Sequence, residues 1–202
     1  MKRFVLFWLV VTLVLAGCTA GGESPSAEET SRQEEAGGHQ EKDKESDTEA
    51  PDVQEQQKIV LNEDFLSQLS RNQIQGFNVS IGMSKADVIQ LYGGVTQEDF
   101  YEGGLYQAFE RLQGGIMFFD GSDRAYAIHL DETHLDRTDL AAIKNALGTP
   151  VEEGISMVDG QYVLFYEAGD NSVFISAPDS ASPVTRLKII NKKMMEESPQ
   201  VF

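Results

Sequence analysis

Apolar positions along the chain fall into three regimes. Residues 4–16 are apolar except for Thr12, and Lys2-Arg3 precede them. Residues 19–57 contain no Ile, Leu, Phe, Tyr, Trp or Met, and Val53 is their one sizeable aliphatic. From Ile59 onward the apolar residues return with a period. Asn62 followed by Phe65, Leu66, Leu69 and Ile74 has helical spacing, which predicts a helix ended by Gly76. Ser84-Lys85-Ala86-Asp87 reads as an N-cap with an acidic residue three positions on; it leads into a helix through Val88, Ile89, Leu91 and Tyr92 that Gly93-Gly94 stops. The period then falls to two. Residues 105–112, 116–119 and 125–130 are predicted strands, joined by turns at Gln113-Gly114-Gly115 and Asp120-Gly121-Ser122-Asp123.

The same order recurs. Thr138-Asp139 caps a predicted helix running through Leu140, Ile143 and Leu147 to Gly148, and strands are predicted at 162–167, 172–177 and 184–190. Segments 84–93 and 139–148 superpose at an offset of 55, pairing Val88 with Ile143 and Tyr92 with Leu147. The expectation is an α+β domain over 58–202, built from two tandem helix-plus-antiparallel-meander repeats (about 62–131 and 132–191) with helices on one face of the sheet. A domain of this size buries roughly 68–70% of its unfolded surface, enough for stability without staples. Ile116-Met117-Phe118-Phe119 and Tyr162-Val163-Leu164-Phe165-Tyr166 are apolar on both strand faces, whereas helices on one side cover only one. Two outcomes stay open. Either the repeats cover each other's spare face, or Met117, Phe119, Tyr162 and Tyr166, with Arg186 and Lys188 nearby, form a partner-binding face.

The first regime has the layout of a signal peptide over 1–17. Crossing ~30 Å of hydrocarbon at 1.5 Å per residue takes ~20 apolar residues, and this run stops short at Gly17. Leu15-Ala16-Gly17-Cys18 resembles the bacterial lipobox. That resemblance implies cleavage between Gly17 and Cys18, a diacylglyceryl group on the Cys18 thiol and often an acylated new amino terminus. Two or three fatty chains of the palmitate class, at about 0.8 kcal/mol per buried CH₂, anchor a protein stably. Residues 19–57 carry twelve carboxylates against Arg32, Lys42 and Lys44. With almost no apolar surface to offset ordering entropy, 18–57 is expected to be a lipidated cysteine followed by a disordered acidic tether.

Charge and chemistry narrow the function classes. A net charge of −17 repels phosphate backbones, so nucleic acid is not an expected partner. Cys18 is the single cysteine, so the chain forms no internal disulfide and no cysteine zinc site. His129-Leu130-Asp131-Glu132-Thr133-His134 gathers imidazoles and carboxylates, but zinc-binding helices place histidines at i and i+4 and these are five apart, so no metal site is expected. Asp120 and Asp123 flank a Gly-Ser turn without the alternating oxygens of a calcium loop, and Asp159-Gly160 and Gly169-Asp170-Asn171 read as hairpin turns. No phosphate loop or nucleophile elbow is present, so neither catalysis nor a cofactor is expected.

Ile81-Gly82-Met83-Ser84, Tyr101-Glu102-Gly103-Gly104-Leu105-Tyr106 and Ala146-Leu147-Gly148-Thr149-Pro150 carry a family resemblance. From about Asn62 to Ile190 the chain resembles the YjgB-like family of exported bacterial proteins of unknown function. Its architecture is similar to the beta-lactamase inhibitor protein, a tandem of helix-plus-sheet units, and to the small lipoprotein of the outer-membrane assembly machine. The resemblance implies fold and a binding role, and it offers no catalytic residues to carry over. The expected function is a lipid-anchored binding module on the extracytoplasmic face of the cell membrane, held in the bilayer through Cys18 and engaging an extracytoplasmic protein. The alternative is a cell-wall hydrolase or small-ligand sensor that uses surface carboxylates. Intact-mass analysis of the native protein is expected to show a chain starting at Cys18 and carrying lipid; a retained Met1 or an unmodified thiol overturns the anchor.

Overall fold

The structure, a computed structural model, describes residues 57–101 and 104–198. The signal sequence, Cys18 and most of the tether lie outside the described residues. In chain order the elements are α1 (Phe65–Leu69), α2 (Lys85–Tyr92), β1 (Val95–Tyr101), β2 (Gly104–Phe109), β3 (Gly115–Phe119) and β4 (Ala125–Asp131). A 3-10 turn at Glu132–His134 leads to α3 (Leu140–Leu147), β5 (Glu152–Ile155), β6 (Tyr162–Ala168), β7 (Asn171–Ala177), β8 (Arg186–Asn191) and α4 (Lys192–Glu197). All eight strands form one antiparallel sheet in the order β1-β2-β3-β4-β8-β7-β6-β5. The fold is therefore α+β, as expected, with two more strands than the periodicity predicts.

Local chemistry explains the helix ends. Ser84 Oγ accepts the Asp87 N–H at 3.2 Å and donates to the Asp87 carboxylate at 2.6 Å, while Asp139 Oδ1 accepts the Ala142 N–H at 2.6 Å. Gly93 and Gly148 take φ of 82° and 84°, conformations a side chain would strain, and close α2 and α3. The first helix is shorter than its spacing predicts. It stops at Leu69 because Asn72 turns left-handed (φ 64°) and the Leu69 carbonyl accepts both the Asn72 N–H and, at 2.7 Å, the Asn171 side chain. Ile74 is buried from a turn rather than from a helix.

Strands β1 and β5 escape the sequence pattern because neither has a buried face. Every residue of β1 (Val-Thr-Gln-Glu-Asp-Phe-Tyr) is exposed, and β5 (Glu-Glu-Gly-Ile) is nearly so. Both are sheet edges. A register shift between Val95 and Gln97 and the carboxylates of Glu98 and Asp99 blunt the first edge, and shortness blunts the second.

The main core joins side chains of α1, α2 and α3 to one face of the sheet. Phe65, Leu69, Val88 and Ile143 meet Met117, Ile128, Leu164, Tyr166, Val173, Leu187 and Ile189 there. The amino-terminal segment is tied in beside β4, since Ile59 N donates to the His134 carbonyl, Asp136 N donates to the Ile59 carbonyl, and Leu61 N donates to Asp136 Oδ1. An asparagine network locks α1 to the end of the sheet. Asn171 Nδ2 donates to Leu69 O and to Asn72 Oδ1, and Asn191 Nδ2 donates to Asn171 Oδ1 at 2.9 Å.

Without Asn171 the buried Asn191 amide loses its 2.9 Å acceptor, and the Leu69 carbonyl keeps only the Asn72 N–H. Asn171→Ala is expected to lower unfolding stability by about 2–3 kcal/mol, and loss of the α3 cap in Asp139→Ala by about 1 kcal/mol. Urea denaturation checks both, as a lower midpoint with an unchanged slope. Core placement also shifts two tyrosines. Burial pushes the Tyr92 and Tyr166 hydroxyls up from an ordinary value near 10 to about 12, and the charge of Glu153 adds to the effect at Tyr166. The stability that depends on these protonated hydroxyls is complete below pH 10 and is lost as pH rises towards 12. Spectroscopic alkaline titration is expected to show late-ionising tyrosines that are fewer in Tyr166→Phe; ionisation of Tyr166 near pH 10 would place it on the surface instead.

Candidate sheet-face binding site

Strand register assigns each side chain to a face. Met117 pairs with Ile128 and Tyr166 with Val173, all of them core residues. Alternation then puts Ile116, His129, Lys188, Phe174, Phe165 and Glu152 in one rank across the opposite face, on β3, β4, β8, β7, β6 and β5 in turn. Asp131, Arg186, Ser176 and Val163 form the next rank.

This assignment corrects the partner-binding face expected from sequence. Met117 (0% exposed) and Tyr166 (2%) are buried in the main core, and Phe119 and Tyr162 are half-buried against it. Helices and sheet already cover all four. Truncating a core residue of this size costs ~3–5 kcal/mol, so such variants report on folding rather than on docking. Arg186 and Lys188 lie on the other face, the first half-exposed and the second buried. Gly17 and Cys18 lie outside the described residues.

The second face is closed partly by the sheet itself. β2 pairs with β3 only at Tyr106–Phe118 and Gln107–Met117, and beyond that point the β1–β2 hairpin bends over the face. A Cβ on Gly104 would sit 2.7 Å from Tyr126 Oη and 2.9 Å from Phe118 Cδ1, so only glycine permits the approach. Tyr126 is available there because it is the extra residue of a bulge, with Phe118 pairing Ala127 and Phe119 pairing Ala125. A small second cluster of Phe118, Tyr126 and Ala127 results, joined by Tyr106, Ile116, Ile190 and Met194 of α4. The Tyr101 ring reaches across to the His129 ring (centroids 6.0 Å), and Lys188 Nζ sits 5.4 Å from the centre of the Tyr101 ring.

At the opposite end, Phe165 and Phe174 pair at 5.0 Å and, with residues 152–156 and Val163, line a shallow concavity of about 390 Å³. The β5–β6 hairpin end lies towards Lys188. The Asp159 carboxyl is held below its ordinary value first by a hydrogen bond from Ser156, and further by the Gln161 N–H and the positive charge of Lys188. Exposed apolar surface concentrates at these two hairpin ends. Six of the ten large exposed hydrophobics among the described residues are Phe100, Tyr101, Leu105, Ile155, Met157 and Val158, so the exposure is grouped rather than scattered. Phe100 is 65% exposed, Val158 89%, and Met157 is fully exposed.

Other clusters noted in the sequence do not converge. His129 packs its ring 4.7 Å from that of Phe118, whereas His134 is buried elsewhere with Nε2 2.7 Å from the Gln113 carbonyl and its ring edge-on to Phe77. Asp120 closes its own turn, accepting from the Ser122 and Arg124 N–H groups and pairing with the Arg124 guanidinium at 2.9 Å. Glu152 and Glu153 alternate across β5, and Glu153 is tied to Lys144 of α3 at 2.6 Å. Sequence reasoning missed the hairpin ends. Their signal was legible as Ile155, Met157 and Val158 lying where turn residues are usually polar.

No protein-family model matches the chain, and no curated protein matches it by sequence. A cysteine-rich secretory protein from Staphylococcus aureus subsp. aureus Mu50 has a solved structure with a TM-score of 0.40 at 11% identity, covering 57% of this chain and 44% of that one. The crystal structure of a DUF4309 family protein (YjgB) from Bacillus subtilis subsp. subtilis str. 168 gives a TM-score of 0.50 at 11% identity, covering 64% of this chain and 94% of that one. The chain thus has the fold of YjgB over nearly that protein's whole length, in keeping with the resemblance carried by Ile81-Gly82-Met83-Ser84 and Ala146-Leu147-Gly148-Thr149-Pro150.

Proposed function

We propose that the chain is a lipid-anchored, extracytoplasmic binding module of the bacterial cell envelope that docks a protein against the sheet face turned away from α1 to α3. One observation carries the docking role: exposed apolar side chains are grouped on the two hairpin ends that frame that face. A soluble surface keeps such groups few, because each exposed apolar patch costs free energy until a partner covers it. The anchor draws its support from Leu15-Ala16-Gly17-Cys18 after the short apolar run. No helix among the described residues is long and apolar enough to cross a membrane. No catalytic role belongs to this proposal.

The same proposal takes α2 with β1–β4 and α3 with β5–β8 as two copies of one unit, packed so that their helices share a face. Each helix starts at a side-chain cap, ends at a left-handed glycine and is followed by four antiparallel strands. Likeness to the beta-lactamase inhibitor protein belongs to this level of the proposal. A second reading, a sensor of small ligands, is favoured by the concavity over Phe165 and Phe174.

Crosslinking on intact cells followed by purification of the anchored chain is expected to recover a specific partner. Met157→Ser combined with Val158→Ser should abolish that recovery, since both side chains are almost fully exposed and their loss leaves the core intact. A partner retained equally by this variant and by Phe100→Ser would count against docking on the hairpin ends.

A further inference from the structure

Arg186 sits on central strand β8, between the two apolar hairpin ends, and faces away from the helices. Its Nη1 lies 3.5 Å from Tyr101 Oη, and it makes no ion pair among the described residues. Asp131, its neighbour in register, directs its carboxylate to the N–H and hydroxyl of Thr133. Several other cations are neutralised locally: Arg124 by Asp120, Arg137 by Asp136, Lys144 by Glu153 and Lys192 by Glu167. In a chain of net charge −17 with carboxylates abundant, a half-buried guanidinium on the second sheet face, with no carboxylate paired to it among the described residues, is suited to take one from a partner.

Resting on the docking role above, we infer that the partner inserts a protein turn between the two hairpin ends and presents one carboxylate, from Asp or Glu, to Arg186. The guanidinium fork accepts a carboxylate through two parallel N–H···O bonds, and Tyr101 Oη beside it offers a further polar contact. Tyr101 on one side and Met157 and Val158 on the other then cover apolar residues flanking that acid. Polyanions of any kind fit poorly, because the domain's overall negative charge repels them at long range while a single acid inside an apolar turn escapes that penalty.

The test uses the full lipidated chain in detergent and a phage library of short disulfide-closed random loops as the probe. Selected loops are expected to be enriched in one Asp or Glu with aromatic or aliphatic neighbours. Their binding should weaken at least about tenfold for Arg186→Glu, and by less for Arg186→Lys, which keeps the charge but loses the fork. Selection against Arg186→Glu should in turn yield loops carrying Lys or Arg. Urea midpoints of all variants near that of the native chain show that folding is retained. Loops without a carboxylate that lose binding in Met157→Ser with Val158→Ser, but not in Arg186→Glu, overturn the inferred acid while the docking face stands. Loops indifferent to all these changes, or no loops at all, overturn the docking role itself.

Discussion

The antiparallel pairing of β4 with β8 is the interaction on which the rest of the structure depends. Ala127 to Asp131 pair with Arg186 to Ile190, and this seam turns two four-stranded meanders into one eight-stranded sheet. A sheet that wide, apolar on both sides at its centre, needs two covers, and α1 to α3 supply one. The register at the seam decides which residues each cover receives. Ile128, Leu130, Leu187 and Ile189 go under the helices, while His129, Lys188 and Arg186 go to the other side. A slip of one residue would invert both sets and put the polar side chains into the main core under the helices, so the hydrophobic pattern and the pairing specify each other.

The second cover comes from the sheet's own margin. A glycine at 104 and a bulge at Tyr126 let the β1–β2 hairpin fold back until its backbone touches Phe118, which gives the second face a small core of its own. Closure is incomplete: Phe165, Phe174 and Arg186 stay half-exposed between that hairpin and the one joining β5 to β6, and the hairpin ends are apolar where ordinary turns are polar. Packing is thus divided unequally between faces: the helix side holds the main core, and the other holds a small cluster beside exposed apolar hairpin ends.

Much of this was legible in the sequence, for identifiable reasons. Ser84, Asp139, Gly93 and Gly148 announce α2 and α3 because caps and left-handed stops are local chemistry. Strands with one buried face show their period, whereas β1 and β5, exposed along their length, leave no periodic trace. The first helix reads too long because Ile74 falls at helical spacing although it packs from a turn, and the contact that ends the helix comes from Asn171, 102 positions away. The candidate face was harder still. Alternation separates Ile116 and Phe118 from Met117 and Phe119 but cannot say which pair the helices cover, so Met117, Phe119, Tyr162 and Tyr166 were grouped with Arg186 and Lys188, which the register puts on the opposite side.

The splice of Ile59 alongside Leu135 has a mechanical meaning. Tension arriving from the amino-terminal side reaches the folded unit through the backbone bonds of Ile59 with His134 and Asp136, next to the end of a central strand rather than at an edge. Load is delivered to the best-supported part of the sheet and kept away from the two hairpins. Strain entering at Ile59 is therefore carried by the seam of the sheet while the second face keeps its shape.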